Sequence, residues 1–172
     1  MQASSNPYLY LRFTEDGLVK VPIDDETALE SQEWHVAARR YIVRLNSGVS
    51  GPSCVQSSMQ AAGTYAELNA VPGDAVFMEE AYYDDACAMI EDDSGLSGNP
   101  NVLFDPWWEY QPDLFCLSTT LIPWLIELED GRVVKLVMEG YYGENQEGCN
   151  TGAGGQMMSG VLTWRWQFLP TE

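Results

Sequence analysis

The chain has 172 residues, 26 acidic against 8 basic, and a net charge of −18 at pH 7. Apolar residues make up 45% and aromatics 12%, which excludes a disordered acidic tail and points to one globular domain over residues 1–172. The charge repels phosphate and so excludes a nucleic-acid partner, and no apolar run approaches the ~20 residues that a membrane helix needs.

The N-terminus, Met-Gln-Ala-Ser-Ser-Asn-Pro, lacks the charged and apolar regions of a signal peptide, which leaves a cytosolic chain or one whose export segment is absent from this sequence. Tyr8 to Phe13 alternates, with Leu9, Leu11 and Phe13 on one face and Tyr8, Tyr10 and Arg12 on the other. Residues 14–17, Thr-Glu-Asp-Gly, make a turn, and Leu18 to Val21 return as the second strand of a hairpin. Asp24 to Ser31 is expected to form a short helix, with Asp24 or Asp25 as N-cap and Ala28 and Leu29 facing inward.

Trp34 to Cys54 organises the rest. Its middle reads as one strand, with Tyr41, Val43 and Leu45 on one face and Arg40, Ile42 and Arg44 on the other. Asn46 to Pro52 halts it with residues suited to tight turns. Three of the eight basic residues, Arg39, Arg40 and Arg44, sit here, which predicts pairing with carboxylates or with an anionic ligand.

Residues 56–73 are polar and small and read as a long connection with a turn of helix. Ala75 to Met78 reads as a strand. The acids Glu79, Glu80, Asp84, Asp85, Glu91, Asp92 and Asp93 lack the spacing of an EF-hand, so solvated charge is favoured over calcium. Beyond the loop at 94–100, the segment from Val102 to Pro112 holds Trp107, Trp108 and Tyr110. Adjacent tryptophans among prolines do not describe a central strand, and they read as a protruding or ligand-facing loop, or as a hydrophobic clasp over the core. Ile122, Trp124, Ile126 and Leu128 then share a face, Asp130 and Gly131 turn the chain, and Val134, Leu136 and Met138 share the next. A Gly-rich loop over 143–160 leads to the last strand, where Leu162, Trp164, Trp166 and Phe168 point inward. Strands joined by turns, with few short helices, predict an antiparallel all-β fold.

Cys54, Cys87, Cys116 and Cys149 lie far apart, with no Cys-x-x-Cys pair, which argues against a zinc ribbon and against covalent haem. Four isolated cysteines suit two disulfides and an oxidising compartment, so export is favoured. Of the three pairings, Cys87 with Cys116 and Cys54 with Cys149 are expected. Catalysis has little support: His35 is the single histidine, and no nucleophile elbow, P-loop or dinucleotide fingerprint occurs, so the chain is not expected to be an enzyme.

The pattern Trp34-x-Val36-Ala37-x-x-Arg40-Tyr41-x-Val43-Arg44-Leu45-Asn46-x-Gly48-x-Ser50-Gly51 resembles the signature of the HmuY family. Asp130 to Tyr142 is similar to that family's hairpin ending in an aromatic pair, and Gly160 to Pro170 to its closing strand. The resemblance covers most of the chain and weakens over residues 74–116. It implies a curved, hand-like β domain that grips haem between fingers and palm. It also implies an extracytoplasmic location (secreted, periplasmic or anchored by lipid to the outer surface) and transfer of haem to an outer-membrane receptor for iron acquisition.

Histidine pairs or methionine hold the iron in that family, and the corresponding segments here contain no histidine. The resemblance therefore nominates Met89 or Met78 as iron ligand, with Tyr110, or Trp107 and Trp108, closing on the ring of haem or another planar small molecule. Two functions from different classes follow. One is a haem-binding, hemophore-like protein; the other is a structural or protein-interaction module on the same fold whose haem ligands have been lost.

Overall fold

The computed structural model describes residues 7–48, 51–84, 86, 88–93, 98–154 and 159–170. Antiparallel strands dominate and the helices are short, so the all-β reading is borne out. The residues group into two compact units.

The first unit comprises Met1–Gln56, Met78–Asp105 and Leu128–Asp130. Its sheet is ordered β2-β1-β3-β4, from β1 (Leu9–Thr14), β2 (Gly17–Val21), β3 (Val36–Arg39) and β4 (Ile42–Leu45). Thr14 pairs with Gly17 across the first turn, and Gly17 has a φ of 138°, a backbone angle that a side chain would resist. The organising stretch differs from expectation. It is not one strand but a tight hairpin, in which Arg39 pairs with Ile42 and Arg40 turns at φ 55°. Arg40 and Tyr41 occupy a turn that usually takes Asn-Gly or Asp-Gly, so no local signal marks it. Helix α1 spans Asp25–Ala28, capped by the Asp24 carboxylate on the Thr27 N–H at 2.7 Å. Ala28 is buried, but Leu29 is exposed, because the helix ends before its side chain can turn inward.

Asn46 closes this hairpin onto the preceding segment. Its Nδ2 donates to the carbonyls of Ser31 and Trp34, and its Oδ1 accepts the Ser53 N–H. A Cβ at Gly51 would collide with that same Oδ1, which explains the glycine at the end of the motif. The Trp34 indole is fully buried, donates to the Ala28 carbonyl at 3.0 Å and meets the Tyr10 ring edge-on.

The second unit comprises Ser57–Phe77, Pro106–Glu127 and Gly131–Glu172. Its larger sheet is ordered β10-β9-β8-β5, from β5 (Gln56–Met59), β8 (Pro123–Glu127), β9 (Val133–Gly140) and β10 (Thr163–Phe168). Strand β5 lies in what reads as a connection, since Ser57 and Ser58 are buried without any apolar alternation to announce them. Conversely, Ala75–Phe77 forms no strand. Trp164, Trp166 and Phe168 do face away from Thr163, Arg165 and Gln167, but β10 is an edge strand and leaves both tryptophans half-buried rather than buried.

The aromatic segment is not a loop. After a 3₁₀ turn over Asp105–Trp107, it runs as β6 (Trp108–Gln111) paired with β7 (Cys116–Thr119). Within the Gly-rich stretch stands α2 (Gln146–Asn150), and a disulfide joins its Cys149 to Cys116 of β7. Gln146 reinforces that join, donating to the Leu117 carbonyl and accepting the Tyr141 N–H, while Asn150 accepts the Thr119 N–H. The expected bridges Cys87–Cys116 and Cys54–Cys149 are thereby replaced. An unforeseen helix carries Cys149 to β7, Cys54 is free and exposed, and Cys87 lies outside the described residues.

Candidate functional site

In the first unit, Tyr82 and the residues after it fold back on themselves as short antiparallel stretches. Tyr83 bridges Met89, and Glu91 bridges Pro100. Ile90 donates to the Tyr82 carbonyl at 3.0 Å and Asn101 to the Ile90 carbonyl at 2.8 Å, so the stretch bearing Met89 is held on both sides. The Asp84 carboxylate forms the turn at one end by accepting the N–H groups of Ala86 and Ala88. Met89 is half-buried and packs against the apolar cluster that contains Tyr8, Tyr10, Trp34 and Tyr82. Tyr41 and Tyr83 border the same cluster. Met78, by contrast, is 53% exposed.

Beneath these rings lies Arg44, 2% exposed. Its guanidinium carbon sits 4.3 Å from the Tyr82 centroid and 5.3 Å from those of Tyr8 and Trp34. Arg39 stacks on the outer side of the group at 4.4 Å from the Tyr8 ring. The arginines of the organising stretch thus rest on aromatic faces, where a planar cation is attracted by the ring quadrupole.

Glu80 is the acid built into this arrangement. It is 1% exposed, accepts the Leu45 N–H at 2.9 Å and the Leu103 N–H at 3.3 Å, and its own N–H donates to the Ser47 hydroxyl. Burial pushes its carboxyl up to about 8, against the opposing pull of the Leu45 N–H, the Arg44 charge and the Leu103 N–H. Gly48, at φ 55°, lies so close to the Glu80 carbonyl that a Cβ would come within 2.7 Å of it. The motif Asn46-x-Gly48 therefore wraps a buried acid.

His35 is fully buried and committed. Its Nδ1 accepts the Phe13 N–H at 3.0 Å, which assigns the remaining ring proton to Nε2, facing the Glu129 carboxylate at 3.1 Å. Burial holds its pKa below the ordinary value, overcoming the attraction of Glu129. With both nitrogens engaged, the single histidine has no lone pair left for iron.

In the second unit, Trp107 is 1% exposed and packs in the core. Trp108 is half-buried and Tyr110 is 52% exposed, both on β6. At the β6–β7 turn, Phe115 is 83% exposed with φ 53°. Lys135, although buried, is satisfied by the carbonyls of Tyr65 and Leu68 and lies over the Tyr65 ring. Among the described residues no group of three or more His, Cys, Asp or Glu side chains could hold a metal ion. A depression of about 350 Å³ beside α1 is lined by Glu26, Thr27, Glu30 and Ser31, whose charge opposes an acidic ligand.

The family model described as "HmuY protein" matches residues 4–154. The chain belongs to the HmuY family. Solved structures carry the same fold. A Bacteroides vulgatus protein described as HmuY-like and haem-binding is 15% identical, with a TM-score of 0.55 over 95% of this chain and 87% of its own. A Bacteroides fragilis protein described as a lipoprotein is 14% identical, with a TM-score of 0.58 over 93% of this chain and 83% of its own. The apo form of an HmuY analogue from Tannerella forsythia is 12% identical, with a TM-score of 0.55 over 96% of this chain and 80% of its own. At such identities the likeness is one of fold alone. No curated protein sequence matches this chain significantly.

Haem needs a soft or imidazole donor beside an apolar, aromatic wall. In this HmuY-family chain Met89 meets that description: its thioether borders an aromatic cluster, and backbone bonds on both sides fix the stretch that carries it. Met78 has a thioether but is 53% exposed, and His35 has no free nitrogen. Tyr83, the bridge partner of Met89, was not singled out from sequence. Its only signal was the doublet Tyr82-Tyr83, which reads equally as core.

Proposed function

We propose that this chain is a non-catalytic, extracytoplasmic haem-binding protein that passes its cargo to an outer-membrane receptor. Family membership supports the class, and the single observation that carries the reading is Met89 at the edge of the aromatic cluster. When bound, haem supplies an iron that accepts a thioether donor. Met89 would provide that donor and Tyr83 would flank it. A location outside the cytoplasm agrees with the disulfide and with the lipoprotein description of the Bacteroides fragilis relative. No helix among the described residues is long and apolar enough to cross a membrane.

One observation favours the second reading, an interaction module that has lost its haem ligands. The single histidine is consumed by Phe13 and Glu129. Titrating hemin into the purified protein, oxidised and then reduced, separates the two. A saturable Soret shift supports haem binding, and an unchanged band in both redox states leaves the interaction module.

A further inference from the structure

Haem carries two carboxylates at neutral pH, and a protein of net charge −18 repels them at long range. A site that binds haem on this chain therefore needs a local cation. The first unit offers Arg12, Lys20, Arg39, Arg40 and Arg44. Arg12 is ion-paired with Glu129 at 2.9 Å, and Arg44 is buried under the aromatic rings. Lys20 lies on β2, at the opposite edge of the sheet from β4, and Arg39 is half-buried against Tyr8.

Arg40 remains, and its placement is specific. It is exposed at the tip of the β3–β4 hairpin, held at φ 55°, with its guanidinium carbon 5.3 Å from the centre of the Tyr41 ring. A guanidinium resting on a ring keeps its in-plane N–H edge available for a carboxylate. The Tyr41 hydroxyl donates to Asn99 Oδ1 at 3.1 Å, and the Asn99 carbonyl accepts the Asp92 N–H next to the stretch that carries Met89. Tyr41 and Met89 border the same apolar cluster. The acid on this path, Asp92, is itself bonded by Asn99 Nδ2 at 2.6 Å. The hairpin tip is thus tied by hydrogen bonds to the segment bearing the candidate iron donor.

We propose that Arg40 receives a propionate carboxylate of the porphyrin, so that the ligand is fixed by its charged edge at Arg40 and by its iron at Met89. This rests on the haem reading above. The test compares hemin with hemin dimethyl ester, which keeps the ring and iron but has no free carboxylates, in Soret titrations of the wild type, Arg40→Glu and Arg40→Gly. Glycine removes the charge while favouring the positive φ, so it separates charge from any loss of the turn. The expected result is that Arg40→Gly weakens hemin about threefold and Arg40→Glu about tenfold or more, while binding of the ester is unchanged. Added salt should weaken hemin binding to the wild type more than to either variant. Unchanged hemin affinity in both variants, or equal loss for hemin and ester, would overturn the assignment and leave haem binding standing. Failure of the wild type to bind either compound would remove the haem reading and this assignment together.

Discussion

The guanidinium carbon of Arg44 lies 4.3 Å from the centre of the Tyr82 ring, with the side chain sealed from solvent at 2% exposure. Tyr82 is tied in turn to Tyr8 through hydroxyls 3.0 Å apart, and Tyr8 receives support from Asp25, whose carboxylate accepts its N–H. A cation under three rings is a planar fit that an ammonium cannot reproduce. Arg44→Ala should therefore cost about 3 kcal/mol or more in urea unfolding, through lost cation–π contact and the cavity left beneath the rings. Arg44→Lys should recover less than half of that loss. A lysine variant as stable as the wild type would mean that charge alone, not stacking, is what the site uses.

Glu80 makes stability depend on pH in a definite direction. Its carboxyl is raised by burial from 4.5 to about 8, so between those values the folded chain holds a proton that the unfolded chain has released. Stability should fall as pH climbs through that window and level off above it. His35 works in the opposite sense. Its pKa is depressed by burial, so the unfolded chain takes up a proton first and stability falls as pH drops below the ordinary value of 6.5. In Glu80→Gln the alkaline loss should disappear and the acid loss remain. Denaturation curves of wild type and variant that run parallel between about 4.5 and 8 would show that Glu80 does not titrate there.

Much of this was legible in the sequence, and what was not has physical reasons. Alternation revealed the N-terminal hairpin, the β8–β9 pair and the faces of β10, because each carries apolar residues at period two. The β3–β4 turn was hidden because Arg40 adopts a positive φ without the glycine or asparagine that usually advertises it. Strand β5 was hidden because its buried positions are serines, and α2 because Gly148 and Cys149 sit in a glycine-rich context that reads as loop. Of the candidate site, Met89 could be nominated from a resemblance, but its aromatic wall could not. Tyr8, Tyr41 and Tyr82 come from segments far apart in sequence.

The disulfide between Cys116 and Cys149 closes a sequence separation of 33 residues and fixes α2 to β7 together with Gln146 and Asn150. Replacing both cysteines by alanine should destabilise the chain by about 2–4 kcal/mol. In the native, unreduced protein, Cys54 should react with a thiol reagent, being exposed and unbridged. Peptide mapping that joins Cys54 to Cys149, or Cys87 to Cys116, would refute the observed pairing.

On β10, Trp164 and Arg165 point to opposite faces of one edge strand. Half-burial limits what Trp164 contributes, so Trp164→Ala should cost about 2 kcal/mol and not the larger loss of a sealed tryptophan. Arg165 is ion-paired with Glu139 at 59% side-chain exposure, and Arg165→Ala should stay within about 1 kcal/mol. Thermal unfolding that ranks Arg165→Ala as the more damaging change would invert the face assignment.

The last prediction concerns the two methionines. Met89 borders an aromatic wall on a stretch bonded at both sides, whereas Met78 is 53% exposed. If haem is bound through a thioether, ferrous iron is the preferred state, and reduced hemin should bind more tightly than oxidised hemin. Met89→Ala should then remove the ligand-field features of the reduced spectrum, while Met78→Ala leaves them in place. The fold should survive both changes, since Met89 lies outside the main sheet and its partial burial limits the cost to about 1–2 kcal/mol. Circular dichroism on the same samples separates a lost ligand from a lost fold. A folded Met89→Ala variant whose reduced spectrum matches the wild type would show that iron, if held at all, is held by another side chain.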